Sequence, residues 1–419
     1  MPKSLNTNRI CTICKKLHSN ETTRFLLLGG SISAYGWPVE FKRLLVQQHA
    51  KATLVNRARG GLHSFYQSFC VRPTLEQDQA DIVLLEFAVN DYYQLANLPV
   101  SSRAIGFESL VRQALNSSSS PGIIYVGMQD AHGNNALSWI KPILDHYSIP
   151  LLVPPPTNIE EYSPDTIHPK PATAKEWGRV IYSDWARLCN VARKCEIGAK
   201  MSIPAVFTPG ERPLISPHCY SLLAPNSSDN LTIVENHGFK METHVFLTRT
   251  DYKLSLHGNL AGAQLSLVIP AAERVWLMFY RNNETGNALV KVMDGNETVL
   301  GSYSVPCTFV ADNWQGPKVW GASMSGINEE IFSLIDPVRP EELQKEVLQF
   351  FSQRRQHRPG QLQILKQRGY SIVELPLSNL QQPLPPTWKV DVTVGMATPA
   401  CANHAIQVVA LLTDHANVK

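Results

Sequence analysis

Over the first half of the chain, short continuous apolar runs alternate with longer stretches in which apolar residues recur at helical spacing. The runs at 25–28, 52–55, 81–87, 123–126 and 149–153 have strand length and are mostly apolar on both alternating faces, as expected of strands buried on both sides. Between them, 39–50, 107–115, 137–147 and 172–189 place apolar residues three and four apart, and 63–70 is compatible with a helix. About five such alternations predict an α/β fold, a three-layer arrangement of a parallel sheet flanked by helices. In sheets of that kind, sites form beyond the carboxyl ends of the strands.

The period changes after a proline-rich stretch at 201–217. Short strand patterns follow at 231–234, 244–247, 254–256, 265–269, 275–280, 288–292, 299–305 and 319–321, separated by Asn, Asp and Gly clusters. Further strands are expected at 369–375, 388–394 and 405–412, with helical spacing from 340 to 356. The domain plan is therefore a polar N-terminal extension at 1–23, an α/β domain at 24–200, a linker at 201–217, and a β-sandwich-like domain at 218–419 with a helical insertion at about 328–386.

Composition adds exclusions. The 419 residues are 44% hydrophobic and 17% charged, with a net charge of +3. That charge is too small to imply a nucleic-acid partner. No apolar run is long enough to predict a membrane span. The first residues are basic but have no apolar core of the signal-peptide kind, which reads as cytoplasmic by default. Asn-x-Ser/Thr sequons at Asn20, Asn116, Asn226, Asn230, Asn283 and Asn296 would be usable only in a secretory lumen. The compartment and the oligomeric state stay open. Of the eight cysteines, Cys11 and Cys14 have the spacing of half a zinc site or a redox pair, but nothing completes it, and the pair reads as functionally silent. The others suit buried thiols as well as disulfides.

Candidate chemistry gathers at predicted strand ends. Ser31 follows the first strand and the Gly29-Gly30 pair, where a hydroxyl can stand exposed at the start of a helix. A plain strand–turn–helix with a serine cap fits the same residues. Gly61 closes the loop Asn56-Arg57-Ala58-Arg59-Gly60-Gly61 after the second strand, and Asn90 follows the third. Asp165 precedes His168 by three residues after a proline-rich loop; taken alone they read equally as a turn former and a loop histidine. Trp37, Tyr92 and Tyr93 are either cleft or core residues, and His63, Asp130 and His132 receive no role. No spacing calls for a metal or a cofactor.

Four blocks, GGSIS at 29–33, NRARGG at 56–61, AVND at 88–91 and DTIHP at 165–169, resemble in order the four blocks of the SGNH (GDSL-type) hydrolases. The resemblance covers about 24–190. It implies Ser31 as nucleophile, His168 as general base and then acid, and Asp165 as the group that orients His168. It also implies an oxyanion hole formed by the main-chain N–H groups of Ser31 and Gly61 and the side-chain amide of Asn90. Gly30 stands where the family often has aspartate, and Ala58 where it often has glycine. The implied activity is hydrolysis of a small ester, an O-acetyl group on a carbohydrate foremost; a lipase or thioesterase, or a glycan-binding protein without catalysis, are the alternatives. In the related branch a β-rich region often follows the hydrolase domain, and 275–292 looks like part of one. Trp276, Trp314 and Trp320 there would serve either sugar stacking or packing.

Overall fold

The computed structural model describes residues 4–34, 36–95, 98, 100–163, 166–195, 202–207, 214, 217–221, 232–245, 252–258, 261–281, 288–305, 369–375, 377, 386–394 and 406–414. The described residues up to 207 form one compact unit, and those from 214 onward form a second.

The first unit begins with α1 (Leu5–His18). Ser4 caps it, its side chain accepting the Thr7 N–H at 3.1 Å. Ile10, Cys11, Ile13, Cys14 and Leu17 lie on one stripe and are buried. Asn6 anchors the helix on the sheet: Nδ2 donates to the carbonyl oxygens of Ile123 and Ser148, and Oδ1 accepts the Ile123 N–H at 2.7 Å. The expected polar extension at 1–23 is thus corrected. The low average hydropathy of this stretch conceals an amphipathic helix that covers the sheet. Cys14, expected to be silent, forms a disulfide with Cys189.

The elements that follow are β1 (Thr23–Gly29), α2 (Ser31–Ala34), α3 (Trp37–Gln48), β2 (Ala52–Asn56), α4 (Ser64–Asp78), β3 (Ile82–Glu86), α5 (Ala88–Gln94), α6 (Val100–Asn116), β4 (Gly122–Val126), α7 (Leu137–His146), β5 (Leu151–Leu152) and α8 (Pro171–Ala192). The five strands form a parallel sheet in the order β2-β1-β3-β4-β5. Two apolar clusters cover its faces. One gathers α1, α3 and α8 around Phe25, Phe41, Trp177 and Trp185. The other gathers α4, α6 and α7 around Leu26, Phe107, Tyr125 and Ile140. This is the expected three-layer sheet. The order places β1 and β3, whose ends carry Ser31 and Asn90, side by side at the centre. The described part of the expected linker docks on this unit: the Phe207 N–H donates to Glu108 Oε1 at 2.6 Å, and Arg112 Nη1 donates to the Pro204 carbonyl oxygen at 2.8 Å.

The second unit is antiparallel β structure: β6 (Pro217–Ser221), β7 (Thr232–His237), β8 (Phe239–Val245), β9 (Tyr252–Gly258), β10 (Gln264–Pro270), β11 (Arg274–Arg281), β12 (Ala288–Met293), β13 (Val299–Val305), β14 (Gly369–Glu374), β15 (Thr387–Val394) and β16 (Ile406–Asp414). One sheet runs β13-β12-β15-β10-β7; the other runs β14-β11-β16-β9-β8, with β6 also paired to β16. Alternate residues from both sheets, such as Leu265, Leu267 and Ile269 with Val275, Leu277 and Phe279, share one buried core. Trp276 is buried at 1% exposure, with the Arg274 guanidinium 4.7 Å from its ring centre, so its role is packing rather than sugar stacking. The expected strand at 319–321, the insertion at about 328–386 over most of its length, and Trp314 and Trp320 lie outside the described residues.

Candidate active site

The first turn of the site is built by β1 and β3. Their register pairs Gly29 with Glu86, and the Gly30 N–H donates to the Glu86 carbonyl oxygen at 3.0 Å. The chain then turns into α2, which begins at Ser31. A Cβ on Gly30 would lie 2.6 Å from Asn90 Nδ2 and 2.7 Å from Asn90 Cγ. A side chain at this position would meet the Asn90 amide, which occupies the space it would take. Asn56 secures α2 from the neighbouring strand: Nδ2 donates to the Ser33 carbonyl oxygen at 2.8 Å, and Oδ1 accepts the Ala58 N–H at 2.9 Å.

His168 reaches this turn from the loop before α8. Its Nε2 lies 2.7 Å from Ser31 Oγ, a hydrogen bond across 137 residues of sequence. The loop is closed on itself: the Ser163 N–H donates to the His168 carbonyl oxygen at 2.7 Å, and Tyr162 and Pro169 form an isolated bridge. Tyr162 packs edge-on against Trp177 of α8, and Ile167 is buried in the core beside it. The Ala131 N–H donates to the Thr166 carbonyl oxygen at 2.8 Å, tying the loop to the one after β4. Asp130 organises that second loop, accepting from the N–H groups of His132 and Asn134 at 2.8 Å and from the Tyr93 hydroxyl. Asp165 lies outside the described residues.

Asn90, in the first turn of α5, is buried and donates through Nδ2 to the Leu62 carbonyl oxygen at 2.6 Å. That bond uses one of its two amide hydrogens and fixes the amide beside the Gly61 loop. Gly61 has φ +74°, a conformation that favours glycine. The loop is held against β1 by the Arg57 and Arg59 N–H groups, which donate to the carbonyl oxygens of Leu27 and Gly29 at 2.8 and 2.9 Å. The structure thus brings Ser31 and His168 into contact and links Asn90 both to the Gly61 loop and to the turn before Ser31.

Beneath the turn lie groups that the sequence reading missed. Glu86, the last residue of β3, is 1% exposed, and burial pushes its carboxyl up to about 7, partly opposed by the Ser33 hydroxyl. Ser33 Oγ donates to Glu86 Oε2 at 2.7 Å, and Trp37 Nε1 donates to Ser33 Oγ at 3.0 Å, so Trp37 is a core residue rather than a cleft residue. Asp91 is also buried and pushed up to about 7; it accepts from the Ser64 N–H and hydroxyl at 2.7 and 2.6 Å. A lone Glu inside the apolar run DIVLLEF was the available signal, since a carboxylate is seldom buried without a purpose. His63 is the cap of α4, accepting the Tyr66 N–H, and burial lowers its pKa to about 3. Among the described residues, no group of His, Cys, Asp and Glu is arranged to hold a metal ion.

No protein-family model matches the chain, and no curated protein matches it in sequence. Among solved structures, the chain is similar to a two-domain esterase, CEX, active on acetylated mannans, at 15% identity and a TM-score of 0.62. The match covers 98% of this chain and 96% of that one, and the same esterase co-crystallized with mannopentaose matches equally well, with 95% of that chain covered. A Clostridium thermocellum family 3 carbohydrate esterase is matched along its whole length by 41% of this chain, at 16% identity and a TM-score of 0.36. The likeness to the two-domain esterase shows the fold, an SGNH-hydrolase-like α/β unit joined to a β-rich unit.

Proposed function

We propose that this protein is a serine esterase that removes O-acetyl groups from a carbohydrate through an acyl-enzyme. The observation that carries the proposal is the 2.7 Å contact between Ser31 Oγ and His168 Nε2 at the carboxyl edge of the parallel sheet. Neutral His168 takes the Ser31 proton as Oγ attacks the ester carbonyl carbon. The negative charge then develops on the carbonyl oxygen, within reach of the Ser31 and Gly61 N–H groups and the second Asn90 amide hydrogen. Donors of that kind are worth about 2.7–4 kcal/mol each when removed singly. As the tetrahedral species collapses, His168 returns the proton to the departing sugar oxygen. Water then repeats the cycle and releases acetate. Asp165, three residues before His168, is assigned the orienting role that the family pattern gives it.

The carbohydrate assignment rests on the fold shared across both units with an esterase active on acetylated mannans. The test is acetate release from acetylated mannan, beside a series of p-nitrophenyl esters of increasing chain length. The expected result is turnover of acetyl substrates that falls with chain length and is lost in Ser31→Ala and His168→Ala. Preference for long chains would make the protein a lipase or thioesterase. A folded protein with no turnover and no labelling of Ser31 by a fluorophosphonate would remove the esterase assignment.

A further inference from the structure

We infer that Asp130 is a positioning residue of this site: its buried side chain fixes the turn after β4, and that turn holds the loop carrying His168 in register with the helix carrying Asn90. The inference rests on the esterase reading given above.

Asp130 is buried, and four donors converge on its two oxygens. Oδ1 accepts the His132 and Asn134 N–H groups at 2.8 Å each; Oδ2 accepts Asn134 Nδ2 at 2.9 Å and the Tyr93 hydroxyl. The Asp130 N–H donates to the Asn134 carbonyl oxygen at 3.2 Å, and the Gly133 N–H to the Asp130 carbonyl oxygen at 3.0 Å. Gly133 takes the positive φ of +80° that this closed turn needs. The turn reaches the site on two sides. The Ala131 N–H donates to the carbonyl oxygen of Thr166, two residues before His168. The Ala136 N–H donates at 2.9 Å to the carbonyl oxygen of Ala88, two residues before Asn90, and Tyr93 lies three residues after Asn90 on α5.

Thr166 shows what the turn has to hold. Its φ is +59°, a left-handed conformation that costs a β-branched residue free energy and persists only where neighbours enforce it. The Ala131 N–H engages its carbonyl oxygen at 2.8 Å, and its own N–H donates to the Ser163 carbonyl oxygen at 2.8 Å. The Tyr162 hydroxyl adds a tie from the same loop to the Gln129 carbonyl oxygen at 3.2 Å. If the turn at 130–134 loosens, Thr166 can relax, and a small rotation there carries the His168 ring away from Ser31 Oγ, now 2.7 Å distant. Asparagine cannot replace Asp130, because it offers one carbonyl oxygen and turns an amide N–H2 toward donors. A role in stability alone would lower the melting temperature and leave kcat of the folded enzyme unchanged, which separates the two roles.

The experiment compares Asp130→Asn with the wild type well below the melting temperature of either. Tyr93→Phe accompanies it: that variant keeps the main-chain bonds of the turn and removes the hydroxyl that ties it to α5, so it replaces Asp130→Asn if the latter does not fold. kcat and KM are measured on p-nitrophenyl acetate, and the His168 ring is followed by NMR. The expected result is a kcat lower by about 10²-fold in Asp130→Asn and about 10-fold in Tyr93→Phe at nearly constant KM. The His168 ring signals should broaden or split as the ring samples several positions. Ring signals that match the wild type in Asp130→Asn, or in Tyr93→Phe where it stands in, would overturn the inference; so would a kcat within about twofold of an active wild type. The ring signals require no turnover, so an inactive wild-type protein removes the esterase reading, and the ring signals then decide the coupling by themselves.

Discussion

Gly30→Ala is the sharpest perturbation of the site, because it adds one methyl group and touches neither Ser31 nor His168 directly. The added carbon would lie 2.6 Å from Asn90 Nδ2 and 2.7 Å from Cγ, about 1 Å inside ordinary van der Waals separation. Asn90 cannot yield without loss: its amide is buried and already bonded to the Leu62 carbonyl oxygen at 2.6 Å. In the proposed mechanism a retreat of about 1 Å carries the amide away from the developing oxyanion, equivalent to losing one donor, or about 10²–10³ in kcat. KM should hardly change, since the contact forms as charge develops. The assay is steady-state hydrolysis of p-nitrophenyl acetate by the single variants Gly30→Ala and Asn90→Ala and by the double variant, with thermal melts in parallel. Because both substitutions act through the same amide, the double variant should be no slower than the slower single one. A Gly30→Ala enzyme that keeps kcat within about threefold of wild type would refute the reasoning.

Three further outcomes follow from the packing. Asn6→Ala leaves the Ile123 N–H and two carbonyl oxygens under α1 without a partner, and urea unfolding should register a loss of about 2–3 kcal/mol. Gly178→Ala places a Cβ 2.5 Å from the Trp37 carbonyl oxygen and 2.8 Å from Glu40 Cβ; despite alanine's better helix propensity, α3 and α8 must part, lowering the melting temperature by the equivalent of about 1–3 kcal/mol. Glu40 is held down to about 2 by its hydrogen bond to Arg43 and then by Arg179. Its folded-state pKa lies below the unfolded one, so its contribution is present above about pH 4.5 and is lost as pH falls toward 2; Glu40→Gln should destabilise at pH 7 and converge on wild type in acid.

The α/β unit was legible because its strands are nearly continuous apolar runs, and the parallel order needs only those runs and helices between them. The pair Ser31 and His168 was legible through block order, since nothing in the residues themselves brings a serine within 2.7 Å of a histidine 137 positions away. The helix at Leu5–His18 was missed because its apolar stripe of Ile10, Ile13, Cys14 and Leu17 is diluted by lysines and polar residues on the other face. Glu86 was missed for a related reason: one polar residue does not interrupt a run that otherwise reads as a strand. Its partner Ser33, which in turn accepts from Trp37, becomes visible only once β1 and β3 are known to lie side by side. In the second unit the strand patterns were readable from period two, but their pairing was not. β16 joins β6, β9 and β11 from distant parts of the chain, and such partners leave no local trace.

The Cys14–Cys189 bond joins the first helix of the α/β unit to its last, across 175 positions. The first and last helices of that unit are therefore stapled together, and most of its length lies inside the closed loop. A crosslink over so long a span limits how far the unfolded chain can expand, so its reduction should lower the free energy of unfolding by about 2–5 kcal/mol.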